Sequence, residues 1–477
     1  MIFPNITDFK NLFMESLGPE IAGDFFSYLE ESGGDDRTLS VRFKNKEEDY
    51  CGLPVDCAVP WTEKGYYLSR RPSFTLDPLF HCGAYYPQDA SSMFPELLSS
   101  FINFSDPHTV LDLCAAPGGK STHIVSLLGS DSLLVSNEIA GGRASVLADN
   151  MAKWGAPNVI VSSSDALCFG KNLPGIFDIV FVDAPCSGEG MFRKIPAAAS
   201  GWSINNVRLC STRQRRILAD VWPAVSEGGY LIYSTCTFNH LENDDNISFC
   251  VNELGAECLS LPTGAGSSGI EGNGILRTRS GGHLFIPGRV RGEGQYFAVL
   301  RKKSADNVVS KTHGNSCYKS RARKKIVSGG GSGCGFSPKG FKTILAGSLL
   351  KAYPSNLADM MLYVEKNIKV ISSGLAVAIK KGTDFIPHPD YALSDYINET
   401  LLSDSVPFPV HELSLVEALT FLKKEPLVFP KMPLGFILLT YRGHGLGFVK
   451  NLGKRSNNLL SNSRRIRMDI PDEPEYM

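Results

Sequence analysis

The sequence predicts an α/β protein built on a parallel sheet, and three observations predict it. Between residues 109 and 302, short apolar runs alternate with segments of helical period, the signature of successive βαβ units. Several runs, such as Val180-Phe-Val, are apolar throughout rather than alternating, as strands covered on both faces are. The runs also end at or just before polar residues: Asp112, Glu138, Asp165 and Asp183. Scattered surface acids would not keep that phase. The four would share the carboxyl edge of the sheet, where open α/β sheets bind ligands.

Composition sets the frame. A chain of 477 residues has room for about two to four domains, and 43% hydrophobic content permits a large core. A net charge of −1 names no partner. The twelve cysteines include no C-x-x-C pair and no His/Cys set at zinc-finger spacing, so no metal site is expected. Asp8, Lys10 and Glu15 interrupt the first apolar pattern, unlike a signal peptide, and no run of about 18 apolar residues is present. The expectation is a cytoplasmic protein, away from membranes, with reduced cysteines.

The elements follow in order. Residues 1–100 open with Phe9, Leu12, Phe13, Leu17, Ile21, Phe25, Phe26 and Leu29 at helical spacing, then a strand at 39–43. Lys44, Lys46, Arg70 and Arg71 read as a solvated face. Pro87 breaks the Tyr85-Tyr86 stretch ahead of a helix. Residues 101–303 hold strands at 109–114, 133–138, 158–161, 177–182 and 230–236, and late strands at 283–286 and 295–300. Helices are expected at 119–128, up to Trp154, at 213–225 and at 242–254.

Residues 304–338 are rich in Lys, Ser, Asn and Gly and read as a flexible basic linker; Arg301 to Lys325 carries nine Lys/Arg against one acid. Residues 339–477 form a further unit, with 345–364 expected to be helical. Strands at 436–441 and 447–449 should pair around a Gly-rich turn. Arg442 to Arg467 holds seven Lys/Arg and no acid, a candidate surface for a phosphate backbone.

Three motifs carry chemistry. In Asp112-Leu-Cys114-Ala115-Ala116-Pro117-Gly118-Gly119-Lys120-Ser121 a strand turns into a helix through small residues, so backbone amides can meet a ligand. It is neither a G-x-G-x-x-G fingerprint nor a full P-loop, whose first glycine would fall at Cys114. Glu138, about twenty residues on, is placed to take ribose hydroxyls. Asp183-Ala-Pro-Cys186 ends the fourth strand; taken alone, it suggests Cys186 as nucleophile with Asp183 holding a substrate. Ser234-Thr-Cys236-Thr ends the fifth. It puts a second thiol beside the first, a pair suited to covalent catalysis in a reducing compartment or, if oxidised, to a disulfide. Lys120 could pair with Asp183 and orient it.

Together these three motifs resemble the Sun-type RNA (cytosine-5)-methyltransferases. Gly190-Met-Phe-Arg193-Lys194 and Gly447-Phe-Val-Lys-Asn451-Leu-Gly further resemble the RsmF branch, which modifies small-subunit ribosomal RNA in bacteria. The resemblance implies a class I methyltransferase (Rossmann-like) sheet binding S-adenosylmethionine. It also implies an N-terminal α+β RNA-binding region and a PUA-like basic unit near 430–470. The turn from Cys114 to Lys120 would approach the methionine part, Glu138 the ribose, Asp165 the adenine, with Arg143 nearby and Asp183 at the cofactor's edge. Cys236 matches the nucleophile, Cys186 the cysteine of product release, and Asp183 the residue that holds the cytosine ring. Tyr85-Tyr86 and Arg193-Lys194 would be substrate contacts. The chain would act as a monomer on 5-methylcytosine formation in 16S ribosomal RNA. The competing readings are an RNA-binding ribosome assembly factor with weak or lost methylation activity, and a P-loop-like nucleotide hydrolase.

Overall fold

Thr109–Asp112 (β1), Leu133–Asn137 (β2), Val159–Ser162 (β3), Phe177–Asp183 (β4) and Val225–Thr235 (β5) form the parallel part of one sheet, in the order β3–β2–β1–β4–β5. The computed structural model describes residues 5–31, 39–45, 52–262, 271–303, 336 and 338–470. The apolar runs are strands because both sheet faces are covered: Val110, Leu111, Leu134, Val135, Ile160, Val180 and Ile232 are all buried. Gly119–Leu127 (α1), Gly141–Trp154 (α2), Ala166–Asn172 (α3) and Ile204–Val221 (α4) supply the crossovers. Beyond β5 the sheet continues antiparallel through Gln295–Lys302 and His283–Phe285. Strand order reverses between β1 and β4. The crevice of the sheet therefore opens at the ends of those two strands, beside Asp112 and Asp183.

The flanking units brace this edge. The N-terminal helices, Ile6–Leu17 and Pro19–Glu31, set Phe9 against Phe192 and Trp202, and Phe13 against Phe238. They thus press on the loops that follow β4 and β5. A four-stranded antiparallel sheet comes next, formed by Ser40–Phe43, Val55–Ala58, Gly65–Leu68 and Tyr85–Pro87. Its Val41, Phe43 and Tyr85 share one apolar core with Leu419, Phe421, Ile437 and Val449 of the C-terminal unit. A second tie is Val370–Ser373, which pairs antiparallel with β3 and extends the large sheet. The third is Arg464, buried between Asp149 of α2 at 2.6 Å and Asp390 at 2.8 Å.

Several expectations are corrected. Residues 345–364 are not one helix but a hairpin, Phe341–Ala346 with Leu349–Pro354, followed by a short helix, Ala358–Glu365. Gly347, at φ 62°, takes the left-handed conformation the turn needs, and Leu350 and Ala352 bury against Leu375 and Val377 of the neighbouring strand. That cross-strand burial overrides the helical spacing of the leucines. α4 starts at Ile204 rather than 213, because Ser203 accepts the Asn206 amide as its N-cap, and it stops at Val221. The paired strands near the end are longer than expected, Gly435–Tyr441 with His444–Asn451. The expected linker at 304–338 lies outside the described residues, apart from 336 and 338. Among the described residues no helix is long and apolar enough to cross a membrane.

Candidate active site

The turn after β1 is held from both sides. Leu113 donates its amide to Phe181 O of β4 and Ala115 to Asn137 O of β2. Asn137 is the crosspiece of the strand ends: its amide donates to Leu113 O at 3.0 Å and Ser164 O at 2.9 Å, and its oxygen accepts from Ser162 and Ser164. Ala115 and Ala116 are buried, and the Ala116–Pro117 bond is cis. Gly118, at φ 113°, opens α1 where a β-carbon would sit 3.2 Å from Leu147, and one on Gly119 would lie 3.4 Å from the Tyr86 ring. Glycine suits position 118 because of its left-handed backbone and the tight approach of α2, while Gly119 would bring a β-carbon only to ordinary contact with the N-terminal sheet.

Beneath this turn Asp112 is fully buried. One carboxylate oxygen accepts from Ser121 at 2.6 Å, while the other has no hydrogen-bond partner among the described residues. Burial, with Asp183 and Glu138 adding, pushes its carboxyl up to about 7. Burial, then Asp112 and Asp183, likewise pushes the Cys114 thiol up, so it stays neutral. At the end of β2 the buried Glu138 accepts the Ala140 amide at 2.9 Å and pairs with Arg143 at 3.1 Å. Arg143 also donates to Ala116 O at 2.7 Å. The structure therefore joins Glu138, Arg143 and the Ala115–Gly119 turn into one rim. Asp165 is exposed and caps α3 through the Leu167 amide. Two apolar side chains beside these acids, Ile139 and Leu167, stand 61% and 54% exposed. Sequence reading passed over both; their signal was apolar residues next to strand-end acids.

The rim fits S-adenosylmethionine. The orphaned Asp112 oxygen and the open start of α1 offer partners for an amino acid, Glu138 a carboxylate for hydroxyls, and Ile139 with Leu167 apolar walls for a flat base.

The thiols lie across the crevice. Cys186 and Cys236 stand with their sulfurs 3.3 Å apart. The Cys236 contact and burial both push the Cys186 thiol up, and either sulfur can be the donor in the contact between them. Their loops are bolted together. Gly190 donates to Cys236 O at 2.8 Å, and Ser187 and Thr237 hydroxyls meet at 3.1 Å. The buried Glu189 carboxylate accepts the amides of Phe238 and Asn239 as well as the Trp202 indole. Glu242 accepts the Ser187 amide at 3.0 Å and the Gln214 amide at 2.8 Å; burial, with Glu189 nearby, pushes its carboxyl up to about 7.

Asp183 ends β4 three residues before Cys186 and pairs in register with Ser234, two residues before Cys236. Lys120 donates to it at 2.9 Å, and Ser234 at 2.7 Å. Burial lowers the Lys120 ammonium, but the Asp183 charge outweighs it and the net shift is upward, so this lysine stays charged. A charged donor and an acceptor carboxylate thus sit side by side next to two thiols. Gln295 completes the group and was missed in the sequence, because nothing in Gln295-Tyr-Phe-Ala marks it apart from a strand start. Tyr85 is not a substrate contact: its ring is buried and its hydroxyl donates to Asp77 at 2.6 Å. Arg193 is buried too, packed on Tyr28 and near Glu293, whereas Lys194 is exposed.

Three family models match in chain order. They are the N-terminal domain of 16S rRNA methyltransferase RsmF over residues 8–90, 16S rRNA methyltransferase RsmB/F over 100–301, and the methyltransferase RsmF PUA domain over 408–466. A protein of Psychromonas ingrahamii named ribosomal RNA small subunit methyltransferase F is 30% identical over 84% of each chain. One of the same name from Pectobacterium atrosepticum is 40% identical, the match covering 39% of each chain, and one from Escherichia coli O157:H7 is 35% identical over 52% of each. Among solved structures, NSun6 from Pyrococcus horikoshii with SFG superposes at TM-score 0.50 and 17% identity, covering 62% of this chain and 98% of that one. A structure titled PH0851 superposes at 0.51 and 23%, covering 62% and 65%. At these identities the two structures speak for the fold alone.

Proposed function

Because this chain belongs to the RsmB/F family of 16S rRNA methyltransferases, we propose that it methylates carbon 5 of a cytosine in small-subunit ribosomal RNA. As a member it is an S-adenosylmethionine-dependent RNA methyltransferase. The observation that carries the finer reading is the pair of thiols 3.3 Å apart beside the Lys120–Asp183 pair.

Carbon 5 of cytosine is a poor nucleophile. Thiolate addition at carbon 6 moves an electron pair to carbon 5 and makes it enamine-like. S-adenosylmethionine, when bound, supplies an electrophilic methyl group on sulfur. The residues of the chain do the rest. Cys236 forms the carbon–sulfur bond. Cys186, which holds its proton, donates to the Cys236 sulfur and eases its departure. Lys120 and Asp183 offer a charged donor and an acceptor to the ring edge, where charge develops during addition. Once carbon 5 carries the methyl group, a base removes its proton; the carbon 5–carbon 6 double bond re-forms and the Cys236 thiolate leaves. A cytosine must be unpaired or flipped out to reach this crevice. The flanking units at 1–100 and 339–477 are proposed to carry the surrounding RNA. The RNA-binding-factor reading is disfavoured by two free thiols held in hydrogen-bonding contact, which binding alone does not need.

The test is methyl transfer to small subunits purified from cells lacking this chain, with the product mapped by bisulfite conversion. The wild type should leave one or more new 5-methylcytosines, and Cys236→Ala none. Full activity in Cys236→Ala, or methylation at any other atom, overturns the reading.

A further inference from the structure

Gln295 lies at the start of the antiparallel strand that pairs with β5, one residue before Tyr296, which faces Thr235 in the ladder. Its side chain is buried, 2% exposed, and every hydrogen-bonding position on it is in use. The amide nitrogen donates to Thr235 O at 2.9 Å, and its other hydrogen is shared between Asp183 at 3.3 Å and Tyr296 O at 3.4 Å. The amide oxygen accepts from Ser92 at 3.1 Å and from Lys120 at 3.4 Å. The orientation of the amide is fixed by these partners: turned over, its oxygen would face a carbonyl and a carboxylate, and its nitrogen an ammonium. One residue thus touches both members of the Lys120–Asp183 pair, the carbonyl of the residue before Cys236, and a serine of the N-terminal region.

Resting on the function proposed above, we infer that Gln295 is a positioning residue. It fixes the Lys120–Asp183 pair relative to Cys236, so that the cytosine ring meets the pair and the sulfur in one geometry. A buried carboxamide is suited to this because it serves a donor and an acceptor at once and adds no charge. An apolar side chain of the same length would fill the space but remove the bonds that tie the Lys120–Asp183 pair to the carbonyl before Cys236. Ser92 ties the same amide to the N-terminal region, so placement of that region reaches the reacting pair through one side chain.

The test uses the full chain, S-adenosylmethionine and small subunits from cells lacking the chain. Gln295→Met should lower kcat about tenfold while leaving the KM for S-adenosylmethionine within about twofold, since the cofactor rim is untouched. In a cycle with Asp183→Asn, read by single-turnover transfer, Gln295→Met should cost less than about twofold more, because Gln295 acts through Asp183. A merely structural role would instead multiply the two losses and move both kinetic constants, and either outcome overturns the proposal. If Gln295→Met fails to fold, Ser92→Ala decides, since it removes one donor to the Gln295 oxygen and little volume. It should lower kcat by about twofold to fivefold without moving KM, and unchanged kcat overturns the proposal. Absence of methylation by the wild type would instead remove the parent reading, so the two failures are distinguishable.

Discussion

The Cys186 and Cys236 sulfurs lie 3.3 Å apart although their loops leave different strands, and that contact, with burial, raises the Cys186 thiol. The proposed mechanism gives the two thiols different roles. Cys186→Ala removes the donor that eases thiolate departure but leaves the attacking sulfur in place. The variant should accumulate a covalent protein–RNA complex, seen as a slow band on a denaturing gel, while Cys186→Ala/Cys236→Ala shows none. No slow band in the single variant would remove the release role.

Stability should respond to pH through Asp112. In the folded chain its carboxyl titrates near 7, whereas in an unfolded chain an aspartate titrates near about 4. Between these values the folded state holds a proton that the unfolded state has lost, so stability falls as pH rises through the window and is level above it. At about 1.4 kcal/mol per unit, the loss is on the order of a few kcal/mol. Asp112→Asn should therefore gain melting temperature relative to the wild type between pH 5 and pH 8. Parallel melting curves for the two chains across that range would contradict it.

Arg464 belongs to the basic run 442–467, yet it is consumed inside the molecule, clamped between Asp149 and Asp390. Arg464→Met leaves two partly exposed carboxylates short of a partner, Asp149 keeping Lys153, at a cost of about 1–3 kcal/mol. The loss should be local. Hydrogen exchange along Val370–Ser373, the strand that docks on β3, should speed up more than exchange in β1 or β4. Uniform acceleration would show that the clamp does not hold this junction.

The RNA surface of the C-terminal unit is better tested by point changes than by truncation. Strands 435–441 and 444–451 share their core with the N-terminal sheet, so removing them would expose Val41, Phe43 and Tyr85. Lys450, Lys454 and Arg455 are exposed on one hairpin, with Lys450 over the Phe436 ring. If each meets a phosphate, replacing all three with alanine should reduce the slope of log affinity against log salt by about 2–3. An unchanged slope would place the RNA elsewhere.

How much of this was legible in the sequence depends on how local the cause is. Asp112, Glu138, Asp165 and Asp183 could be placed at strand ends because an apolar run and its terminating residue are adjacent in the chain. The small residues from Ala115 to Gly119 read as room for a ligand, and the structure adds that Leu147 and the Tyr86 ring pack against the two glycines. The hairpin at 341–354 was misread as helix, since leucine spacing there fits both periods and only pairing with the next strand decides between them.

The sequence by itself determined the parallel sheet, the residues at its carboxyl edge and the family motifs, because each is written in a contiguous stretch whose period or composition fixes its local form. The tertiary structure alone decided how close the two sulfurs stand, what holds Asp183, and that Gln295 rather than a motif residue joins Lys120, Asp183, Thr235 and Ser92. It alone withdrew Tyr85, Arg193 and Arg464 from the surface into packing. The physical reason is the same in each case. Burial and hydrogen-bond partnership are set by side chains that meet from distant parts of the chain, and no spacing within one segment encodes them.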